Sequence, residues 1–581
     1  MPSKQTGGTV NYIGRTRILI AMTVAFGLIG AGCSGNNKEE AANGGNAEQK
    51  AVKKADQNHM NPQSRDNLQQ GGKLVWPVSG VLPNFNYGQI DGTQQDGQWI
   101  LNAILPIIFN FDATATPTYN PNYLAGEPKV VATPKQVVTY ALNPKAIWYD
   151  GTPISAADYI AQWKASNGTN PAYLISASTG YDQIESVAQG TSKYEVIVTF
   201  KTPFADWKSL FWPLYPASTN NDPKVFNSGW KDKFLTSAGP FKFQSYDATA
   251  KIYTIVPNEK WWGEKPKLDQ IVYRVMDDDA WPGAIANGEI DMMDVGPSAD
   301  YYNKVKPLQG IDIRVAGGPN FRHLTMNGQS AVLQDVNVRQ ALAMAIDRSA
   351  IAKAELGPLP VVPTPLGSHI FMQNQAGYQD NSAVVAFNPE KARQMLDAAG
   401  WVVQGSKRMK GGKPLAVRIV IPAGIAVSRS ESELVQNMLA QVNVDVNIDT
   451  VPLSDLFDKY ITPGRFDFTV FSWLGTPFPI SSGESIYRKP MGDKIQQNYA
   501  RIGNDQLDQA YNDAIAELDP AKAIEKANEV DKLIWAEVHS LPLYQRPDIW
   551  AVKAGLANIG AYGFASITYE NIGWMKDSKG K

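Results

Sequence analysis

Residues Pro319 to Glu355 read PNFRHLTMNGQSAVLQDVNVRQALAMAIDRSAIAKAE, and two periodicities meet inside them. Phe321 to Asn327 is a short extended run that ends at the turn pair Asn327-Gly328. From Val338 the apolar residues fall at Val338, Ala341, Leu342, Ala345 and Ile346. That spacing is i, i+3, i+4, i+7, i+8, which gathers them on one buried face of a helix. Asn337 followed three residues later by Gln340 has the pattern of a capping box. Gly357-Pro358 stops the helical region. A strand that runs into a one-sided helix marks the start of an α/β lobe.

The remainder of the chain sets the scale. At 581 residues it exceeds what one hydrophobic core organises, so two or three lobes are expected. With 43% hydrophobic and 19% charged residues the composition is that of an ordinary globular protein. A net charge of −2 leaves no electrostatic footprint for nucleic acid. A single cysteine excludes an internal disulfide and a cysteine-based zinc site. The four histidines, His59, His323, His369 and His539, are scattered and form no HExxH, so no metal is expected. There is no G-x-S-x-G either, and no enzyme activity or cofactor is expected. Asp277-Asp278-Asp279 lacks the spacing of a calcium loop and reads as a solvated turn. Gly400 to Lys407 ends in Ser406-Lys407, the reverse of the order a phosphate loop requires.

At the N-terminus Lys4, Arg15 and Arg17 precede the apolar run Ile18 to Ile29, followed by Gly30-Ala31-Gly32-Cys33. A basic segment, about a dozen apolar residues and small residues before a cut form a secretory signal. The run is short of the roughly 20 residues that span a bilayer. The lone Cys33 after small residues resembles a bacterial lipobox, although Gly30 stands where that motif carries Leu. The expectation is cleavage after residue 32 and lipidation of Cys33. Ser34 to Gln70 has no Phe, Tyr or Trp and cannot bury enough apolar surface to fold. As a random coil it would span on the order of 30 Å and serve as a tether.

Several further stretches carry local structure. Trp148-Tyr149-Asp150-Gly151-Thr152-Pro153-Ile154-Ser155-Ala156-Ala157-Asp158 is a turn followed by a capped helix, with Ser155 as the cap and Asp158 at the third position. Gly239-Pro240-Phe241 and Asn258 to Asp269 (NEKWWGEKPKLD) lead into a strand at Ile271 to Val275. Asn388 to Trp401 is a helix with Pro389 at its first position and Gly400 as its stop. Leu415 to Ile421 and Val444 to Val451 flank a helix at Glu431 to Val442, a βαβ unit. Phe466 to Trp473 is a buried strand, and Leu541-Pro542-Leu543-Tyr544 is another.

Taken in order, these motifs resemble the family 5 extracytoplasmic solute-binding proteins, which include oligopeptide- and dipeptide-binding receptors of ABC importers. Leu333 to Ile351, LQDVNVRQALAMAIDRSAI, looks like the family's signature at the hinge between its lobes, and the resemblance runs from residue 71 to 576. It implies an α/β fold of the periplasmic-binding-protein type: two large lobes with mixed sheets, a hinge, and three subdomains. The implied division is signal peptide 1–32, tether 33–70, first lobe 71–113 with 236–320 and 541–581, an inserted subdomain 114–235, and second lobe 321–540. The implied function is a monomeric, lipid-anchored extracytoplasmic receptor that hands a peptide or other small solute to a membrane permease and its ATPase. An alternative on the same scaffold is a lipoprotein of phosphatidylinositol-mannoside assembly in the envelope.

Candidate ligand-binding residues follow from the same resemblance: Asn84, Phe85, Asn86 and Tyr87 in an early loop, and Trp473, Gly475, Thr476 and Phe478 beyond the carboxyl end of a strand, where ligands of open α/β sheets sit. In peptide-binding members an aspartate just after this Trp takes the peptide's α-ammonium. Here Gly475 and Thr476 stand in its place, without an acid. The expectation is that a nearby acid such as Glu484 substitutes, or that the ligand lacks that amine.

Overall fold

The computed structural model describes residues 58–576 apart from 232, 493 and 494. The signal segment, Cys33 and most of the tether lie outside the described residues. Two long antiparallel strands, Ile311–Met326 and Ser540–Lys553, form the ribbon on which everything else is arranged. Their ladder is interrupted between Gly317 and Phe321. Pro319 has no N–H to contribute. At Gly318 an added Cβ would lie 2.5 Å from the Arg546 carbonyl oxygen, so only glycine permits the close approach of the two backbones.

The ribbon belongs to a six-stranded sheet in the order Met292–Asp294, Ser540–Lys553, Ile311–Met326, Phe468–Trp473, Ala416–Pro422, Asp445–Val451. The last two pair in parallel, and the helix Ala426–Ala440 between them packs back on the sheet, as a parallel crossover requires. That helix begins five residues before the apolar pattern suggests, because Ser428, Glu431 and Ser432 are buried polar residues on its inner face.

The hinge-side helix also differs from its sequence reading. It is two helices, Val336–Met344 and Arg348–Leu356. Asp335, not Asn337, caps the first: its carboxylate accepts the Asn337 N–H at 2.9 Å, and Asn337 lies inside the first turn. Asp347 caps the second through Ser349 and Ala350. The stripe Val338, Ala341, Leu342, Ala345, Ile346 is buried as expected.

Two four-stranded sheets stand beside the six-stranded one. One orders Lys73–Val78, Gln270–Val275, Ile252–Pro257, Phe241–Asp247; the other orders Lys129–Val131, Val137–Ala141, Glu195–Phe200, Ile184–Gln189. Between Val137–Ala141 and Ile184–Gln189 lies the helix Ala156–Ser166, whose Asp158 accepts the Ser155 N–H at 2.9 Å, the capping arrangement read from the sequence.

These two sheets share a first hydrophobic core, rich in aromatics such as Trp76, Tyr140, Tyr159 and Tyr273. A second core gathers Leu324, Leu342, Val435 and Val470. The ribbon serves both, since alternate residues of a strand face opposite ways: Ala316, Trp550 and Val552 enter the first core, Val315, Ile549 and Ala551 the second. Residues 281–305 contribute Trp281, Ile285, Tyr302 and Val305 to the second core, although the sequence order places them with the first lobe. The folded body also starts before Gly71. The His59 N–H donates to the Ala561 carbonyl at 2.7 Å and Leu68 is buried, so backbone pairing and one aliphatic side chain fix a stretch whose mean composition is that of a tether. No helix among the described residues is long and apolar enough to cross a membrane.

Candidate binding site

A cavity of 1740 Å³ lies between the two cores, with the interrupted part of the ribbon as its floor. It exceeds the roughly 300–1,000 Å³ of sites for drug-sized ligands. The first core supplies Tyr87, Trp99 and Tyr123 to the wall, with Trp212 against Tyr87; the facing side supplies Leu474, Gly475, Thr476, Phe478 and Glu484. Gly318, Pro319, Arg546, Pro547 and Asp548 form the floor, with Asp294 beside them. Leu474 is 69% exposed and Met491 70%, so large apolar side chains stand open to the cavity.

Most wall charges are already neutralised. Lys208 pairs with Glu127 at 2.8 Å, Arg488 with Glu484 at 3.0 Å, and Lys489 with Asp505 at 2.7 Å. The floor is different. Asp294 accepts the Gly296 N–H at 2.7 Å; Asp548 accepts the Trp550 Nε1–H at 2.7 Å and the Gly563 N–H at 2.8 Å. Burial pushes the Asp294 carboxyl up to about 6 and the Asp548 carboxyl up to about 7; Asp278 and Asp96 add to the first and Asp294 to the second. Burial holds the Arg546 guanidinium below its ordinary value, the neighbouring Arg322 adds to this, and Asp294 opposes it. Among the described residues none of Asp294, Arg546 and Asp548 forms a direct ion pair.

Beneath the floor lies a paired charge. Arg322 Nε donates to both Glu431 oxygens at 3.0 and 3.2 Å, its Nη2 donates to Ser428 at 3.1 Å, and the Tyr544 hydroxyl donates to Glu431 at 2.8 Å. Among the described residues no group of three or more His, Cys, Asp or Glu side chains is placed to hold a metal ion.

Residues 120–492 match the family described as bacterial extracellular solute-binding proteins, family 5 Middle. The oligopeptide-binding protein OppA of Mycobacterium tuberculosis is 38% identical over 563 residues, covering 96% of this chain and 93% of the relative. The chain belongs to family 5. It is a solute-binding receptor of the ABC-importer type. Among solved structures, the periplasmic EDTA-binding protein EppA superposes with a TM-score of 0.80 at 25% identity, covering 89% of this chain and 98% of that one. The Bacillus subtilis oligopeptide-binding protein AppA, in complex with a nonapeptide, gives 0.68 at 20% identity, covering 87% and 99%.

On this family 5 scaffold the sequence-predicted site residues divide. Tyr87, Gly475, Thr476 and Phe478 line the cavity. Asn84, Phe85 and Asn86 do not: they are buried and hold their loop against residues 226–234. Asn84 donates to the Asn227 carbonyl at 3.0 Å, Asn86 to the Phe226 carbonyl at 2.9 Å, and Phe85 stacks on Phe234 at 4.1 Å. Trp473 is absent from the wall as well, because its ring stacks between His323 at 5.5 Å and Tyr499 at 5.9 Å. Gly475 has a steric reason to lack a side chain: an added Cβ would lie 2.0 Å from the Pro319 carbonyl oxygen, where this loop rests on the ribbon. Glu484 faces the cavity, but its charge is engaged by Arg488.

Sequence reasoning missed the floor. Its one available signal is the pair Arg546 and Asp548, two charged residues at alternate places in the middle of the strand Ser540–Lys553.

Proposed function

We propose that the protein is a lipid-anchored receptor on the extracytoplasmic face that captures a peptide-like solute and presents it to the permease of an ABC importer. The observation that carries this reading is a large cavity walled by both cores and floored by the ribbon that joins them. A solute touching both walls favours the closed arrangement, and that difference in affinity is what shifts the population toward closure. The likeness to OppA of Mycobacterium tuberculosis over nearly the whole chain supports a peptide as the solute. With the wall cations engaged by neighbouring acids, uncharged polar groups such as Asn102, Asn110 and Ser485 are left to meet a peptide main chain with little side-chain selection.

The α-ammonium of that peptide is not held by an acid after Trp473, since Gly475 cannot accept a side chain and Glu484 is paired. Calorimetric titration with free and N-acetylated peptides of equal sequence, and with EDTA as a non-peptide polyanion, tests the reading. Binding of both peptide forms with similar affinity is expected. Failure of every peptide to bind, or binding of EDTA alone, overturns the peptide assignment; a strong preference for the free amine overturns the account of Gly475. Anchoring at Cys33 is checked by incorporation of labelled fatty acid, which Cys33→Ala should abolish.

A further inference from the structure

At the mouth of the cavity the two sides touch through protein alone. Asp206 lies in the loop that follows the inserted sheet, and Ser481 is the third residue of the helix Pro479–Tyr487 on the facing side. The Asp206 carboxylate accepts the Ser481 N–H at 3.0 Å. One residue earlier, the Ala205 N–H donates at 2.8 Å to the carbonyl of Ile515, the last residue of the helix Asp505–Ile515. Beside them Phe111 meets Phe478 edge to face at 5.5 Å.

These contacts fall where helices are chemically incomplete. The first N–H and last C=O groups of a helix have no partner within it. The Pro479–Tyr487 helix has Phe478 at its N-cap and no side-chain cap of its own. Asp206 supplies the missing acceptor from across the cavity, at the end where the helix dipole favours a negative charge. Ala205 supplies a donor to the opposite end of the neighbouring helix. Thus one dipeptide completes two helices that pack with Tyr487, Leu507 and Tyr511 in a separate cluster, while the adjacent Phe204 and Trp207 are buried in the first core. Neither Ala205 nor Asp206 lines the cavity.

We infer that Ala205-Asp206 is a latch: its two hydrogen bonds hold the cavity shut and set ligand affinity without touching the ligand. The inference rests on the two-sided receptor proposed above, but its first consequence needs no ligand. Because the contacts are absent when the mouth opens, they slow release of a bound solute. Their contribution is the same for every solute that fits.

The test uses the full-length protein, its Asp206→Ala and its Asp206→Asn variants, all first confirmed as folded by circular dichroism. Solution scattering without ligand is expected to show a larger radius of gyration for D206A than for the parent, with D206N closer to the parent because its amide oxygen still accepts the Ser481 N–H. With peptides that bind the parent, D206A should dissociate about three- to tenfold faster, the magnitude of a lost helix cap, by a similar factor for each peptide. An unchanged radius of gyration for D206A overturns the latch. A variant whose scattering shifts as expected in a protein that binds no peptide upholds the latch and removes the peptide reading instead.

Discussion

Charge is buried twice on the crossover ribbon, and the two places are built on opposite principles. Below it, Arg322 and Glu431 satisfy each other, with Ser428 and Tyr544 taking up the remaining hydrogen-bonding capacity. On the cavity side, Asp294, Arg546 and Asp548 stand within one another's field without direct pairing. The first is a fixed joint, complete within the protein. The second keeps its charges available to the cavity, at an electrostatic disadvantage that burial imposes. The chain therefore spends a closed network where the sheet must be rigid and an open one where a solute arrives.

The sharpest way to break this contrast is to remove one member from each place. Glu431→Ala leaves the buried Arg322 guanidinium without its hydrogen-bonded carboxylate, and losing one partner of such a pair costs about 3–5 kcal/mol. Urea denaturation should show that loss as a lower midpoint with an unchanged slope. Asp294→Asn, on the floor, removes a charge that burial already opposes, and should leave stability at neutral pH unchanged or raised. Equal losses in the two variants would erase the distinction.

Next in size is the contact that sets the floor's outer edge. Gly475→Ala drives a Cβ toward the Pro319 carbonyl oxygen, which lies 2.0 Å from its ideal position. The loop must lift from the ribbon, with a cost of roughly 1–3 kcal/mol typical of overpacking. Denaturation should register it, and peptide affinity should fall with it, because Thr476 and Phe478 are carried on the same loop. A Gly475→Ala variant of parental stability and affinity would show that the loop is free to move and that its lack of a side chain has no steric cause.

What the sequence revealed and concealed follows the same division. The hinge stretch announced itself because periodicity is a property of neighbours: the stripe from Val338 to Ile346 and the turn with its capped helix at Trp148 to Asp158 are local patterns with local causes. The cap on the hinge helix was misplaced by two residues because Asp335 and Asn337 are both good caps, and only the backbone decides between them. The cavity was legible where an irregular loop follows a strand, at Gly475 to Phe478. It was illegible at the floor, which joins Asp294 to residues 252 and 254 positions away in the chain. Asn84, Phe85 and Asn86 had the composition of a binding loop but serve as an internal staple, because their polar groups find carbonyls at residues 226 and 227. The latch partners, Asp206 and Ser481, are 275 residues apart and carry no motif.

The finest test of the contrast is titration. A carboxyl raised on folding binds its proton more tightly in the native state than in the unfolded one, so stability falls as pH rises from the unfolded value to the folded one. For Asp548 the window runs from 3.8 to about 7, and for Asp294 from 3.8 to about 6. Above pH 7 both are ionised in either state and their contribution is constant. Each can contribute up to about 1.4 kcal/mol per pH unit within its window. The measurement is the difference in unfolding free energy between the parent and Asp548→Asn at pH 5, 6, 7 and 8. Asparagine keeps an oxygen acceptor for the Trp550 Nε1–H or the Gly563 N–H but has no proton to lose. The parent should therefore lose stability relative to the variant as the pH rises from 5 to 7, then run parallel to it. A parallel course for D548N across the whole range would mean that solvent reaches the floor freely, and the open network would then be no more buried than the surface.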